Sequence, residues 1–101
     1  MDTEVVYLDR DNMIDLQLNA DGSAVDLSGV TKWLLTFDGS MSVNSVSSPS
    51  VFDETYAVSG IISLKLGGQN LSTGLHDMRV VVYDAVYTSG LVWGVVPVLI
   101  R

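Results

Sequence analysis

Hydrophobic and polar residues alternate with a period of two in several segments of this chain, and this periodicity restricts its fold more than any other feature. Residues 13–19 show it most clearly, because Ile14, Leu16 and Leu18 fall on one face and the polar residues between them on the other. Successive side chains of a β-strand point to opposite faces in this way. No window keeps the i, i+3, i+4, i+7 spacing of an amphipathic helix. The periodicity therefore predicts an all-β protein.

Turn-forming residues divide the alternating pattern into about seven strands. The predicted strands cover residues 5–8, 13–19, 30–38, 60–66, 75–84 and 91–100, with a short edge strand from residue 41 and another short strand at residues 55–58. Gly39 is predicted to end the third strand, and Gly67 with Gly68 to form a strand-end turn rather than a phosphate-binding loop. Residues 69–74 are expected to cross to the next strand with one helical turn.

Short strands at spacings of about ten residues, separated by turns, are typical of an antiparallel immunoglobulin-like β-sandwich. A small closed barrel is the main alternative. In the sandwich, Trp33, Leu35 and Phe37 would face the core. Pro97 has no N–H to donate, so part of the last strand is expected at a sheet edge or a bulge. The chain has no internal repeat or linker, and residues 1–101 are expected to form one domain.

Composition excludes several classes of function. The 101 residues are 48% hydrophobic and 17% charged, which indicates a folded chain. No apolar run reaches the length of a membrane-spanning helix, and the acidic N-terminus does not resemble a signal peptide. The sequence contains no cysteine, and its net charge of −7 comes without a basic patch for nucleic acid. We expect no cofactor, no nucleic-acid partner and no membrane partner.

His76 is the only histidine, and Ser72 and Asp77 nearby complete the residue types of a hydrolytic triad. Adjacent residues of a strand point to opposite faces, whereas a triad must converge in space. The spacing therefore predicts a surface histidine beside a turn, and we expect no enzymatic activity. Asp53 and Glu54 are also sequence neighbours, which does not establish the cleft that a glycosidase needs.

The turn after the first strand is rich in oxygen ligands, with Asp9, Asp11 and Asn12, and Asp15 follows closely. Such side chains suit calcium, but the segment lacks the spacing and the distal glutamate of an EF-hand loop. A solvated turn is the favoured interpretation, and calcium binding is the alternative.

Apolar residues also occupy positions that should face water. If the strands at 30–38, 75–84 and 91–100 share a sheet, Leu34, Val81 and Tyr83 lie on its outer face, and the last strand is apolar on both faces. Either a neighbouring subunit or a loop must cover one of them. We favour a subunit and expect a homo-oligomer or a hetero-assembly. The predicted contact residues are Leu34, Val81, Tyr83, Trp93, Val96, Val98 and Ile100.

Three segments carry a resemblance to a known protein family: DLSGVT at residues 26–31, ISLKL at residues 62–66, and LSTGL at residues 71–75 before a strand. They resemble the small immunoglobulin-like β-sandwich proteins of tailed-phage virions. The resemblance implies a non-catalytic structural part of a virion, made in the host cytoplasm: a head decoration, a neck or collar subunit, or a tail or baseplate module. Its partners would be other virion proteins or copies of itself. No functional residues transfer with the resemblance.

Two other functions remain open at this level. A carbohydrate-binding module would need two or three exposed, coplanar aromatic residues from the set Trp33, Trp93, Tyr7, Tyr56, Tyr83 and Tyr87. A small acidic inhibitor or DNA mimic is suggested by the net charge alone, although the carboxylates are dispersed.

Overall fold

The computed structural model describes residues 3–38 and 41–101, which form β-strands joined by turns. The strands are β1 (Glu4–Val6), β2 (Ile14–Gln17), β3 (Asn19–Ala20), β4 (Ser23–Ala24), β5 (Lys32–Phe37), β6 (Met41–Asn44), β7 (Phe52–Asp53), β8 (Ile61–Leu64), β9 (Gly74–Tyr83) and β10 (Leu91–Ile100). Two single 3₁₀ turns cover Pro49–Val51 and Ala57–Ser59. The predicted all-β class is confirmed.

The strands form two main sheets. Sheet A has the order β1-β10-β9-β5-β6, and sheet B has the order β2-β8-β7, while β3 and β4 form a separate two-stranded hairpin. In sheet A, β1 runs parallel to β10, and the other neighbours are antiparallel. The third predicted strand, β5, lies in one sheet with the last two, β9 and β10, which is the condition under which the sequence placed Leu34, Val81 and Tyr83 on an outer face.

The inward-facing side chains of both sheets contribute to one hydrophobic cluster. Sheet A supplies Trp33, Leu35 and Phe37 from β5, each at most 1% exposed, as the alternation predicted. Sheet B supplies Ile62 and Leu64 from β8, which are also almost completely buried. Burying one such side chain contributes about 1.5–3 kcal/mol. Two sheets that share one cluster therefore stabilise each other.

Two local predictions were wrong. Residues 55–58 do not form a strand, because backbone bonds from Ser59 to Tyr56 (3.0 Å) and from Gly60 to Ala57 (2.9 Å) close a 3₁₀ turn. The short strand of this region is β7, which lies earlier. Residues 69–73 contain no helical turn, and the chain enters β9 through bends and irregular backbone. The predicted strand end at Gly39 lies outside the described residues.

Candidate interaction surface

The outer face of sheet A combines apolar side chains with a few charges. Strand register fixes it: Leu34 pairs with Val81 and Lys32 with Tyr83, so these side chains point away from the core. On the other side of β9, Val92 of β10 pairs with the same Val81. We define the outer face by Lys32, Leu34, Thr36, Leu75, Asp77, Arg79, Val81, Tyr83, Val92, Val95, Pro97 and Leu99.

Three predicted contact residues lie on this outer face. Leu34 and Tyr83 are partly exposed, whereas Val81 is only 9% exposed. A Cβ placed on Gly90 would come within 2.8 Å of a Val81 methyl and 2.9 Å of the Tyr83 ring. The backbone that enters β10 therefore passes directly against Val81. The chain itself covers part of the face, which was one of the two alternatives drawn from the sequence.

Three other predicted contact residues lie in the core. Val96, Val98 and Ile100 are 4%, 0% and 1% exposed and belong to the hydrophobic cluster. They are therefore not available for contact with a partner, and that part of the prediction is corrected. Trp93 is half-buried and packs against the same cluster.

A β-bulge explains why sequence alone misassigned the last strand. The register of β10 against β9 shifts between Val92 and Gly94, which leaves Trp93 as the extra residue. After the bulge, Val95 faces outward, and it is 46% exposed, while Val92 before the bulge is 54% exposed. Val92 and Val95 are the contact candidates that sequence reasoning missed. Both parities of this strand are apolar, so alternation could not identify the outward set.

Part of β10 also has an open edge. Its pairing with β1 covers Val98 to Ile100, and no described strand pairs with residues 91–97 on that side. The prediction that Pro97 marks an edge or a bulge is confirmed, since it lies at this edge and the bulge precedes it. Beside the edge, a groove of about 410 Å³ runs between sheets A and B, lined by Glu4, Leu16, Gln17, Leu18, Asn19, Val80, Trp93, Gly94 and Val96.

His76 lies beside a turn, but it is not the surface histidine that the spacing predicted. Its side chain is 10% exposed and lies at the end of the inner face of sheet A, with its ring edge-on to Phe37 at 6.5 Å between centroids. Nδ1 contacts the carboxylate of Asp38, and Nε2 lies 2.9 Å from the carbonyl oxygen of Ser72. Asp77 faces the other side of β9, as the sequence predicted. Asp38 instead takes the acidic position beside the imidazole.

The titration of this cluster follows from its hydrogen bonds. The hydrogen bond to Asp38 raises the pKa of His76 above its ordinary 6.5, against a smaller lowering by burial, and the Ser72 carbonyl also raises it. The backbone N–H of Asp77 lowers the pKa of Asp38 below 3.8, and His76 lowers it further. Both shifts favour the ion pair.

The acidic side chains in and after the turn that follows β1 contact different partners. Asp11 lies 3.2 Å from the Lys65 ammonium, and Asp15 accepts a 2.5 Å hydrogen bond from the Ser63 hydroxyl. Within residues 3–38 and 41–101, no three histidine or acidic side chains are grouped to bind a metal ion. The Asp53 carboxylate accepts hydrogen bonds from Thr55 and closes a local turn.

The exposed aromatic residues lie on separate segments. Trp33 is 1% exposed and belongs to the core, which removes it from any carbohydrate platform. Tyr7 follows β1, Tyr56 precedes the second 3₁₀ turn, and Tyr87 lies in the connection between β9 and β10. These positions do not form a row along one strand.

Comparisons with protein-family models, with curated proteins and with solved structures find no match. Among the described residues, no helix has the length and apolar character needed to cross a membrane.

Proposed function

We propose that this domain is a non-enzymatic structural subunit of a bacteriophage virion, which assembles through the outer face of sheet A. A head decoration, a neck or collar subunit, and a tail component all fit this proposal. The observation that carries it is the exposure of Val92 and Val95 on β10, together with the partly exposed Leu34 on β5, on a face that sheet packing does not require to be apolar. Contiguous apolar patches on soluble proteins mark interaction sites.

We further propose that sheets A and B form an immunoglobulin-like sandwich. Strands β6, β5, β9 and β10 are consecutive in one sheet, and β7, β8 and β2 form the other, joined by one core. This is the arrangement of a variable-type domain, in which an extra strand extends the sheet that holds the last two strands. The buried Trp33 on β5 takes the position of the central core aromatic.

The face supports assembly better than the open edge does. Proline and β-bulges are devices that protect edge strands from pairing with another chain, and the open part of β10 contains Pro97 and the bulge at Trp93. At the centre of the face, Leu34 and Val92 pair with Val81 from either side, and the backbone entering β10 covers Val81 but leaves Leu34 partly exposed and Val92 54% exposed. We therefore assign the main contact to the face and a secondary contact to the edge.

The His76 cluster supports the non-enzymatic part of the proposal. A serine nucleophile needs an unprotonated Nε2 within reach of its hydroxyl. In this chain Nε2 lies 2.9 Å from the Ser72 carbonyl and 3.4 Å from the Ser72 hydroxyl, so its proton has a better partner in the carbonyl. While the imidazole is doubly protonated and donates from Nε2 to that carbonyl, it cannot serve as a general base for that serine.

The proposal is tested by placing a charge in the centre of the face. Leu34→Asp and Val92→Asp are compared with Val58→Asp, which is a matched control because Val58 is 68% exposed in the second 3₁₀ turn. Each variant is produced in the virus that encodes the chain, and its copy number in purified virions is measured by quantitative mass spectrometry. Circular dichroism checks that each variant is folded.

We expect the two face variants to lose at least about tenfold in copy number, since burying an unpaired charge costs several kcal/mol. The control should be incorporated normally. Normal incorporation of folded Leu34→Asp and Val92→Asp would refute assembly through this face. Absence of the wild-type chain from virions would refute the virion assignment itself.

A further inference from the structure

His76 connects three parts of the chain that meet at one end of sheet A. The imidazole belongs to β9, Asp38 follows the end of β5, and Ser72 lies in the segment that enters β9. The Asp38 carboxylate also accepts a 2.9 Å hydrogen bond from the backbone N–H of Asp77. Each carboxylate oxygen therefore has its own donor on β9.

Both ring nitrogens of His76 face an acceptor. The carboxylate of Asp38 and the carbonyl of Ser72 cannot donate a proton, so both contacts are hydrogen bonds only when the imidazole carries two protons. A neutral imidazole has one N–H and must give up one acceptor. The charged carboxylate is the stronger acceptor, so the remaining proton stays on Nδ1.

The Ser72 hydroxyl offers the neutral ring an alternative partner. Its oxygen lies 3.4 Å from Nε2, slightly too far for a good hydrogen bond in the arrangement described. When Nε2 has no proton it becomes an acceptor, and the hydroxyl can donate to it after a small movement. The carbonyl of the same residue then loses its partner.

We propose that His76 is a pH-operated switch that binds the backbone carbonyl of Ser72 when protonated and the hydroxyl of Ser72 when neutral. In the protonated state the imidazolium fixes the segment entering β9 to the end of β5. In the neutral state that segment is attached through a rotatable side chain, and its backbone is freed. The switch is independent of the proposed virion function.

Few charged groups lie near the imidazole of His76. From β5, the ring faces Phe37 and Asp38, and its register partner on β10 is Val98, in a strand without ionisable residues. On its own strand, Asp77 and Arg79 point to the outer face, where they line a shallow cleft together with Asp38. The carboxylate of Asp38 is the ionised group in direct contact with the imidazole.

The switch is tested by ¹⁵N NMR of the histidine ring across pH 5 to 9 in the full chain. Because the chain contains one histidine, its signals need no assignment. We expect a midpoint above 6.5 and a neutral form protonated at Nδ1, with the ¹³C shift of the Ser72 carbonyl changing at the same midpoint. The ring nitrogen shifts distinguish the two neutral tautomers.

Ser72→Ala removes the hydroxyl and keeps the carbonyl. It should raise the His76 midpoint above that of the wild type, because the neutral form loses its partner, whereas the matched control Thr73→Ala should leave the midpoint unchanged. A neutral form protonated at Nε2 would overturn the proposal. An unchanged His76 midpoint in Ser72→Ala would also overturn the proposal. If a variant does not fold, the neutral tautomer of the wild-type chain tests the proposal by itself.

Discussion

Gly67 and Gly68 form a matched pair that tests how closely the turn after β1 approaches sheet B. A Cβ placed on Gly67 would lie 2.1 Å from the carbonyl oxygen of Arg10 and 2.7 Å from that of Tyr7. Both obstacles are backbone atoms, which cannot move as a flexible side chain can. A Cβ on Gly68 meets no atom within 4 Å. Adjacent glycines therefore predict opposite results for the same substitution.

We expect Gly67→Ala to lower the free energy of unfolding by about 3 kcal/mol, at the upper end of the usual cost of overpacking. The carbonyl of Gly67 also accepts a 2.8 Å hydrogen bond from Asp9, which the displaced turn would lengthen. For a domain of this size, 1 kcal/mol corresponds to roughly 4–8 °C in Tm, so Tm should fall by about 12–24 °C. Gly68→Ala should change the free energy of unfolding by less than about 1 kcal/mol.

Urea unfolding followed by tryptophan fluorescence measures both variants, and calorimetry gives their Tm. The m-value should be the same in both, because the exposed surface of the unfolded chain does not change. Ordinary surface substitutions change the free energy of unfolding by about 0.5 kcal/mol or less. If the free energies of unfolding of Gly67→Ala and Gly68→Ala differ by no more than this, the turn does not pack against Gly67 and this reasoning is refuted.

Three further predictions concern the core and the pH dependence. Ile62→Ala removes a fully buried side chain and should cost about 2–5 kcal/mol in urea unfolding, whereas Val58→Ala, which is exposed, should cost less than about 0.5 kcal/mol. Ser45→Ala deletes the hydroxyl that accepts a 2.9 Å hydrogen bond from the backbone N–H of Trp33, and a loss of about 1–3 kcal/mol is expected; Ser45→Thr serves as its control. Because the pKa of His76 is raised in the folded state, its contribution to stability is complete below pH 6.5 and is lost as pH rises through the folded value. Thermal unfolding from pH 5 to 9 should show this fall in the wild type, and a similar fall in His76→Gln would contradict it.

The acid side of the pH profile has the opposite sign. The pKa of Asp38 is lowered in the folded state, so its contribution is present above pH 3.8 and is lost as pH falls through the folded value. The two groups together place the greatest stability of this cluster between about pH 4 and 6.5.

The sequence determined the all-β class and most of the core, because alternation with a period of two is a local property. The inward positions of β2, β5 and β8 follow directly from it, and Trp33, Leu35 and Ile62 are buried as expected. The turn at Gly67 and Gly68 could also be predicted from the sequence, because glycine is common in the turns that end strands.

Only the tertiary structure decided the outward face of β10 and the partners of His76. Both parities of β10 are apolar, so a bulge at Trp93, set by pairing with β9, was needed to send Val96, Val98 and Ile100 inward. Asp38 lies 38 residues from His76 in sequence, and the register of β5 against β9 brings them together. Local periodicity carries no information on pairing between distant strands, and both features depend on that pairing.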